Sequence, residues 1–510
     1  MEEWIIILFF VIPLFGAFTI PIAFWFSPNS PKLITSILTF ILLILSLYAL
    51  VYQPKSTTYI LGGWEPVGNV PIAIYLVRDG LSGFMLVIIN LIAFFSAVYA
   101  MNYMEEFTGK KYFYVLVCLM IAGMNGVVLA GDMFNLFVFT EIAAKSSYAL
   151  VAFGVKRDEL EASFKYQVLG GMASLIILFG IAMIYWQTQT LNMADISYML
   201  QNTENNIFPV FIQLILITGF GVKAAIIPFH AWLPDAHSSA PSPISAMLSG
   251  VLIKTLGVYV IMRLFLNVFQ LNESVSIVLI ALGGLSMIVG VLLAVGAWDL
   301  KRLLAYSSIS HIGYIIAGLG IGMTMLARGE NHLAATLAFT GSLFHMANHA
   351  VFKGLLFLNA GAIEYSANTR DMKQMGGLAK YMPITLSSSF SASMSISGMP
   401  PFSGFFSKLI IIVAAVIAGF YLIAGLAVIA SIITLAYFAK FQKYAFYNKS
   451  AGENSVKEVP YLMRFSMISL AVLCLLMSVL VLPGIRDVFL NPAVNTLMET
   501  TEYATRILGR

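Results

Sequence analysis

Two cysteines, Cys118 and Cys474, are all that this chain has, and they lie far apart in apolar runs. That excludes a disulfide framework, a cluster-binding spacing and a zinc site, and leaves both as small core residues. Charge is scarce too. Asp, Glu, Lys and Arg make up 10% of the residues, where soluble proteins carry about 25%. The net charge of +4 comes from 28 basic and 24 acidic side chains, so it says little about nucleic acid, and no nucleic-acid partner is expected. Haem is not signalled, and no Gly-rich loop ends in Lys-Ser or Lys-Thr to cradle a phosphate. No cofactor, metal, redox or hydrolytic site is therefore expected in this chain. Its longest loops fall short of the roughly 50 residues that a soluble domain needs.

Apolar residues fill the space that charge leaves. They are 60% of the 510 residues, and a mean hydropathy of +0.90 reads as an all-α polytopic membrane protein, one integral domain over 1–510. Apolar runs of about 20 residues give about fourteen transmembrane helices. The earlier ones centre near Val11, Leu42, Val87, Val117, Val138, Leu175, Phe220 and Val251, the later ones near Ile288, Ile312, Leu343, Gly398, Ile429 and Ala471. The Met1-Glu2-Glu3 start has the wrong charge for a cleaved signal peptide and reads as a retained first helix. The stretch from Gln53 to Asp79, rich in β-formers around Gly62-Gly63, suits a small external hairpin.

Loop charges test the span count independently. Alternate loops collect Lys32, Lys110, Lys111, Lys156, Arg157, Lys165, Lys301, Arg302, Arg370, Lys373, Lys380, Lys443, Lys449 and Lys457 on one side. The opposite internal loops keep Lys55, Arg78, Arg263 and Arg328. The positive-inside rule then puts both termini outside a cell membrane and makes the span count even, with Arg486, Arg506 and Arg510 on the tail opposing only weakly.

The chain also repeats. Pro228-Phe229-His230-Ala231-Trp232-Leu233 is echoed by Pro401-Phe402-Ser403-Gly404-Phe405-Phe406, and Asp132 with Tyr148 by Asp299 with Tyr314, at a spacing of about 170 residues. Five spans fall in each interval, and an odd number inverts the second copy, so two inverted five-helix repeats are expected over about 112–266 and 275–448, each with a proline-broken helix. Each proline frees a backbone carbonyl that a polar cavity or neighbour has to satisfy.

Lys223 lies in the first broken span, and a charge at the bilayer centre costs about 2.5–3.5 kcal/mol on insertion scales, so it persists where it has a partner, water or a task. Glu141, Lys254, His311, His345, His349, Lys353 and Lys408 join it as intramembrane ionisable residues. His345, His349 and Lys353 recur every fourth residue and form one stripe about 12 Å long on a helix. Several like groups without a strong metal cluster suggest a proton relay: a buried lysine beside a movable carboxylate switches its charge, and histidine does so unaided. Plainer readings exist for some of them. Glu141 and Lys145 at i,i+4 could form a static salt bridge, His345 and His349 could hold haem or a metal, His230 and His237 could satisfy backbone at the break, and Lys353 could snorkel.

The runs Gly221-Val222-Lys223-Ala224-Ala225 through His230-Ala231-Trp232-Leu233-Pro234-Asp235-Ala236-His237, Asp299-Leu300-Lys301-Arg302-Leu303-Leu304-Ala305-Tyr306-Ser307-Ser308-Ile309-Ser310-His311, and Gly398-Met399-Pro400-Pro401-Phe402-Ser403-Gly404-Phe405-Phe406-Ser407-Lys408 resemble the signatures of the antiporter-like subunits shared by respiratory complex I, Mrp cation/proton antiporters and membrane-bound hydrogenases. The resemblance covers essentially the whole chain and is nearest to the D-type Mrp subunit or its hydrogenase counterpart. It implies a role for Glu141 as the carboxylate of the fifth span, Lys223 as the lysine of the broken seventh, Lys254 as a bridging lysine, His349 and Lys353 as polar positions of the eleventh, and Lys408 as the terminal lysine of the broken twelfth. It implies proton movement along a hydrated axis, coupled to a partner's redox reaction or to sodium exchange, beside other membrane subunits, among them another antiporter-like or small Mrp-type one, with or without a hydrogenase or quinone-reductase arm. Lys145 departs from that pattern. Ser307 or Ser308 aligns opposite Glu141, so a carboxylate for Lys408 has to come from elsewhere. Two rivals stand beside this reading: a self-sufficient secondary transporter of a small solute, and a structural membrane subunit.

Overall fold

In a bilayer every backbone amide has to find its partner within the protein, which makes the helix the element of an open chain that spans. The computed structural model describes residues 4–52, 56–64, 71–201, 207–449 and 456–509. The Met1-Glu2-Glu3 start, Lys55 and Arg510 lie outside the described residues.

Helices α1 (Ile5–Phe26) and α2 (Ser30–Tyr52) lead to an antiparallel pair, β1 (Thr57–Ile60) and β2 (Tyr75–Arg78), with Thr57 opposite Arg78. This is the hairpin expected between Gln53 and Asp79. Then follow α3 (Gly80–Tyr103), α4 (Lys110–Leu129), α5 (Met133–Val151), α6 (Arg157–Thr188) and α7 (Met193–Gln201). The first broken helix is α8 (Ile207–Ala224) and α9 (Trp232–Ser239), and α10 (Ser242–Val268) comes next. The second half runs through α11 (Glu273–Gly296), α12 (Leu300–Ala327), α13 (His332–Ala367), the broken pair α14 (Pro383–Ser397) and α15 (Ser403–Ile417), α16 (Tyr421–Tyr447) and α17 (Tyr461–Val481). Three short tail helices close the chain: α18 (Pro483–Phe489), α19 (Asn491–Met498) and α20 (Tyr503–Leu508).

The chain is a multi-pass membrane protein, helical but for the one small β pair among the described residues. Among the described residues 11 helices are long and apolar enough to cross a membrane, short of the expected fourteen. Helix α5, with Glu141 and Lys145, α13, with His345, His349 and Lys353, and the half-helices α14 and α15 are not in that set. The half-helices are too short to count, with Ser403–Ile417 itself apolar, whereas α5 and α13 are long enough and carry ionisable groups.

Small residues let helices approach. A Cβ on Gly290 of α11 would lie 2.6 Å from the Ser310 nitrogen of α12, so the glycine is what brings α11 against the helix that carries His311. Helix α10 is wholly buried and winds through π-helical turns at Leu248–Leu252, Lys254–Tyr259 and Leu264–Val268. Such turns leave carbonyls free for side chains and cluster at functional sites.

Both breaks satisfy what they free. At the first, Ala225 has φ 54°, the Trp232 indole donates to the Val222 carbonyl at 2.9 Å, and the Ile227 amide donates to Ser286 Oγ at 3.0 Å. At the second, Gly398 takes φ 78°, Ser431 donates to the Ser397 carbonyl at 3.0 Å, and Ser478 to that of Pro401 at 2.8 Å. The echoed Asp132 and Asp299 also play one part: each caps a helix, accepting from Asn135 N at 2.8 Å and Arg302 N at 2.9 Å.

Arg263 corrects the loop-charge count. It lies inside α10, not in a loop, with its side chain 2% exposed, and its guanidinium grips Asp79 at 2.7 and 2.8 Å. Arg506 of α20 reaches the same carboxylate at 3.5 Å. Burial alone would raise the Asp79 carboxyl, but Arg263, Arg506 and the Ser82 amide hold it well below the usual carboxylate range. A bidentate partner makes an arginine tolerable at this depth.

Candidate functional site

Glu141 of α5 and Lys223 at the end of α8 meet across α6. Lys223 Nζ is 3.6 Å from Glu141 Oε1, with the lysine side chain 3% exposed and the glutamate 18%. Ser174 of α6 joins them: its hydroxyl donates to Glu141 and accepts from Lys223 at 3.0 Å. The ammonium donates also to the Gly170 carbonyl at 3.1 Å and to Tyr148 Oη at 3.4 Å. A side chain at Gly170 would collide with the Tyr148 hydroxyl, so the glycine keeps α6 near enough to serve the lysine. On the other side of the carboxylate, Lys145 Nζ is 3.8 Å from Oε2, and that lysine is 74% exposed. One carboxylate therefore stands between two ammonium groups at nearly equal distance.

The middle of the molecule is held by Lys254 and Lys353, both fully buried. Lys254 donates to carbonyls of the preceding π-helical turn, those of Ser249 and Gly250. Ser249 Oγ is 2.8 Å from Ser308 Oγ on α12, and Ser308 donates to the Leu304 carbonyl at 3.0 Å. Lys353 of α13 donates to that same carbonyl at 2.7 Å and to Ser307 Oγ at 2.8 Å. Ser307 or Ser308, aligned opposite Glu141, thus falls between the two lysines: Ser307 accepts from Lys353, and Ser308 contacts Ser249, whose backbone carbonyl accepts from Lys254.

The far end is built from histidines. His311 Nδ1 and His345 Nε2 are 3.0 Å apart, and His345 Nδ1 is 3.0 Å from Ser407 Oγ, one residue before Lys408 on α15. His349 packs with its ring 5.7 Å from that of His311, and neither of its nitrogens has a hydrogen-bond partner among the described residues. Lys408 donates to Ser431 Oγ at 3.1 Å and lies over the Tyr314 ring at 5.2 Å. Among the described residues no carboxylate pairs with it.

The accessory positions separate. Asp235 of α9 ties Arg302 at 2.6 Å and Lys165 at 3.1 Å, an electrostatic joint among α6, α9 and α12. His237 is buried, stacks on Phe357 at 4.7 Å, and its ring has no hydrogen-bond partner among the described residues. His230 is half-buried and its carbonyl accepts from Leu233 at the start of α9. Sequence reasoning left out Ser174, Ser249, Ser407 and Ser431. Their one signal was a hydroxyl or a Gly-Gly pair, Gly170-Gly171, within an otherwise apolar span.

Two broken helices inside a bundle, with a glutamate, lysines and histidines held apart from lipid, define the class: a polytopic membrane protein with an ionisable line through its interior. Residues 130–434 match the NADH:quinone oxidoreductase/Mrp antiporter transmembrane family, and residues 64–114 match the N-terminus of complex I chain 5. The chain is 36% identical over 411 residues to the D-type subunit of the Na(+)/H(+) antiporter of Alkalihalophilus pseudofirmus, 80% of each chain. Its structure is similar to a chain of the membrane-bound sulfane sulfur reductase, an archaeal respiratory membrane complex, with TM-score 0.88, 30% identity and coverage of 99% and 100%. It is similar as well to a chain of the Mrp complex from a Dietzia species, with TM-score 0.87, 26% identity and coverage of 100% and 99%. The chain belongs to the NADH:quinone oxidoreductase/Mrp antiporter family, as one of its antiporter-like membrane subunits.

Proposed function

We propose that this chain moves protons as one subunit of a larger ion-pumping complex in the cell membrane. The observation that carries this is the buried triad of Glu141, Ser174 and Lys223. With Glu141 against Lys223 the ammonium is favoured; with Glu141 drawn away it keeps only the neutral acceptors Ser174, Tyr148 and the Gly170 carbonyl and gives up its proton. From Lys223 the proton passes to Lys254, on to Lys353 by way of water and the Ser249, Ser308 and Ser307 hydroxyls, and by way of His349, His311 and His345 towards Lys408. Direct contacts cover the step from His311 to Ser407, and between Lys254 and Lys353 they join Ser249 Oγ to Ser308 Oγ and Lys353 to Ser307 Oγ. Ordered water bridges the others, a reading that the unpartnered buried ring nitrogens of His237 and His349 support.

In this reading about fourteen helices span the membrane, the repeats run over about 112–266 and 275–448, and both termini face outside. The matched capping by Asp132 and Asp299 and the two satisfied breaks support the repeat. The chain carries no cofactor. Coupling comes from neighbours, either a redox arm or the other subunits of a sodium/proton antiporter. Similarity to chains of two multi-subunit complexes supports membrane partners.

Assembled complexes with Glu141→Gln or Lys223→Ala should lose coupled ion movement in proteoliposomes while keeping their subunits. Normal pumping by the assembled double variant sinks the relay. Subunits that copurify from the native membrane decide the coupling: iron–sulfur or nickel subunits mean a redox pump, small membrane subunits alone an antiporter.

A further inference from the structure

Lys145 is exposed where a lysine should not be. It lies inside α5, six residues before its end at Val151, or about 9 Å along the axis. Side chains on a helix lean towards its N-terminus, and this one does so: it reaches back to Glu141 at 3.8 Å, away from the nearer helix end. That direction is the reverse of snorkelling. The same face of α5 exposes Phe134 and Val138, so the ammonium interrupts an apolar stripe. The charge does not balance either. Glu141 has Lys223 at 3.6 Å on its other oxygen, and among the described residues no other carboxylate pairs with Lys145. One negative group cannot neutralise two ammonium groups at this depth, where an unpaired charge is strongly disfavoured.

We propose that the exposed stripe of α5 is an interface with a transmembrane helix of another subunit, and that this helix brings an Asp or Glu to Lys145. The partner carboxylate takes Lys145 as its own counter-ion, which frees Glu141 to serve Lys223. Assembly thereby sets the pair on which proton loading depends. This rests on the chain working beside other membrane subunits, but its readout is subunit composition and needs no proton movement, so a failed relay leaves it standing.

The test uses the native complex. Lys145→Glu should lose the neighbouring subunit on mild-detergent purification, and Lys145→Arg should retain it. Dicyclohexylcarbodiimide, which reaches carboxyls inside membranes, activates the partner's carboxyl; the Lys145 amine displaces the urea and an amide forms with net loss of water. Mass spectrometry should find Lys145 joined to an Asp or Glu of another chain. Full subunit content in Lys145→Glu overturns the proposal, and so does a cross-link confined to Glu141 of the same chain. If Lys145→Glu does not accumulate, the cross-link on the wild-type complex decides alone, and its absence counts against the interface.

Discussion

The two broken helices carry the same device with opposite equipment. In the first, the lysine precedes the break and faces a carboxylate 3.6 Å away. In the second, Lys408 follows the break, on α15, and is received by Ser431 at 3.1 Å and the Tyr314 ring at 5.2 Å. A serine hydroxyl and an aromatic face stabilise an ammonium through dipoles and a quadrupole; neither can move away as a counter-ion does. In the proposed relay the first half therefore switches, and the second receives a proton and releases it.

The largest expected effect breaks the comparison at its strong side. Lys223→Met in the assembled complex should reduce ion movement, followed by a pH-sensitive dye in proteoliposomes, below a tenth of wild type. The same change at Lys408 should be smaller, because no carboxylate depends on it. Equal losses at both sites would mean that the halves do the same work.

Next in size is a change that makes the halves alike. Ser431→Asp supplies Lys408 with a carboxylate partner, as Lys223 has in Glu141. It should hold the proton at Lys408 and slow turnover severalfold, with assembly unchanged. Faster movement would show that the second half lacks a counter-ion to its disadvantage. Smaller again is Ser174→Ala, which removes the bridge between Glu141 and Lys223 but neither charge. A hydrogen bond to a charged group contributes about 1.5–3 kcal/mol. The loss should fall short of that in Glu141→Gln, and Ser174→Thr should restore most of the rate.

The same residues mark how far the amino-acid sequence is legible by itself. Glu141, Lys223, Lys254 and Lys408 announce themselves because charge in an apolar run is costly, and Pro228 and Pro401 because they interrupt such runs. The serines could not be found that way. A hydroxyl in an apolar helix can bond its own backbone and carries no penalty that marks it, so Ser174, Ser249 and Ser431 become visible only when neighbouring helices place them between ionisable groups. The span count shows the same limit from the other side: α5 and α13 fall short of the apolar threshold because they hold the chemistry. Arg263 looked like a loop charge because its counter-ion, Asp79, is distant in sequence.

That pair sharpens the comparison least in rate and most in stability. Helix α10 carries Lys254 between the halves, and at its far end Arg263 binds Asp79, with Arg506 of the tail helix α20 beside it. Asp79→Asn leaves a buried guanidinium with half its partner, and breaking a buried pair costs about 3–5 kcal/mol. Ion movement per assembled complex should change little, while the thermal midpoint of the purified complex drops. The pH dependence follows from the sign of the shift. The Asp79 carboxyl is held below its ordinary value by Arg263 and Arg506 against the opposing effect of burial, so its contribution is complete above the unfolded value of about 3.9 and fades as pH falls towards the folded one. The gap in midpoint between wild type and Asp79→Asn should accordingly stay constant from neutral pH down to about pH 4 and narrow only below it. A gap that closes between about pH 7 and 5 would place the stabilisation in another group and leave α10 anchored by something other than this carboxylate.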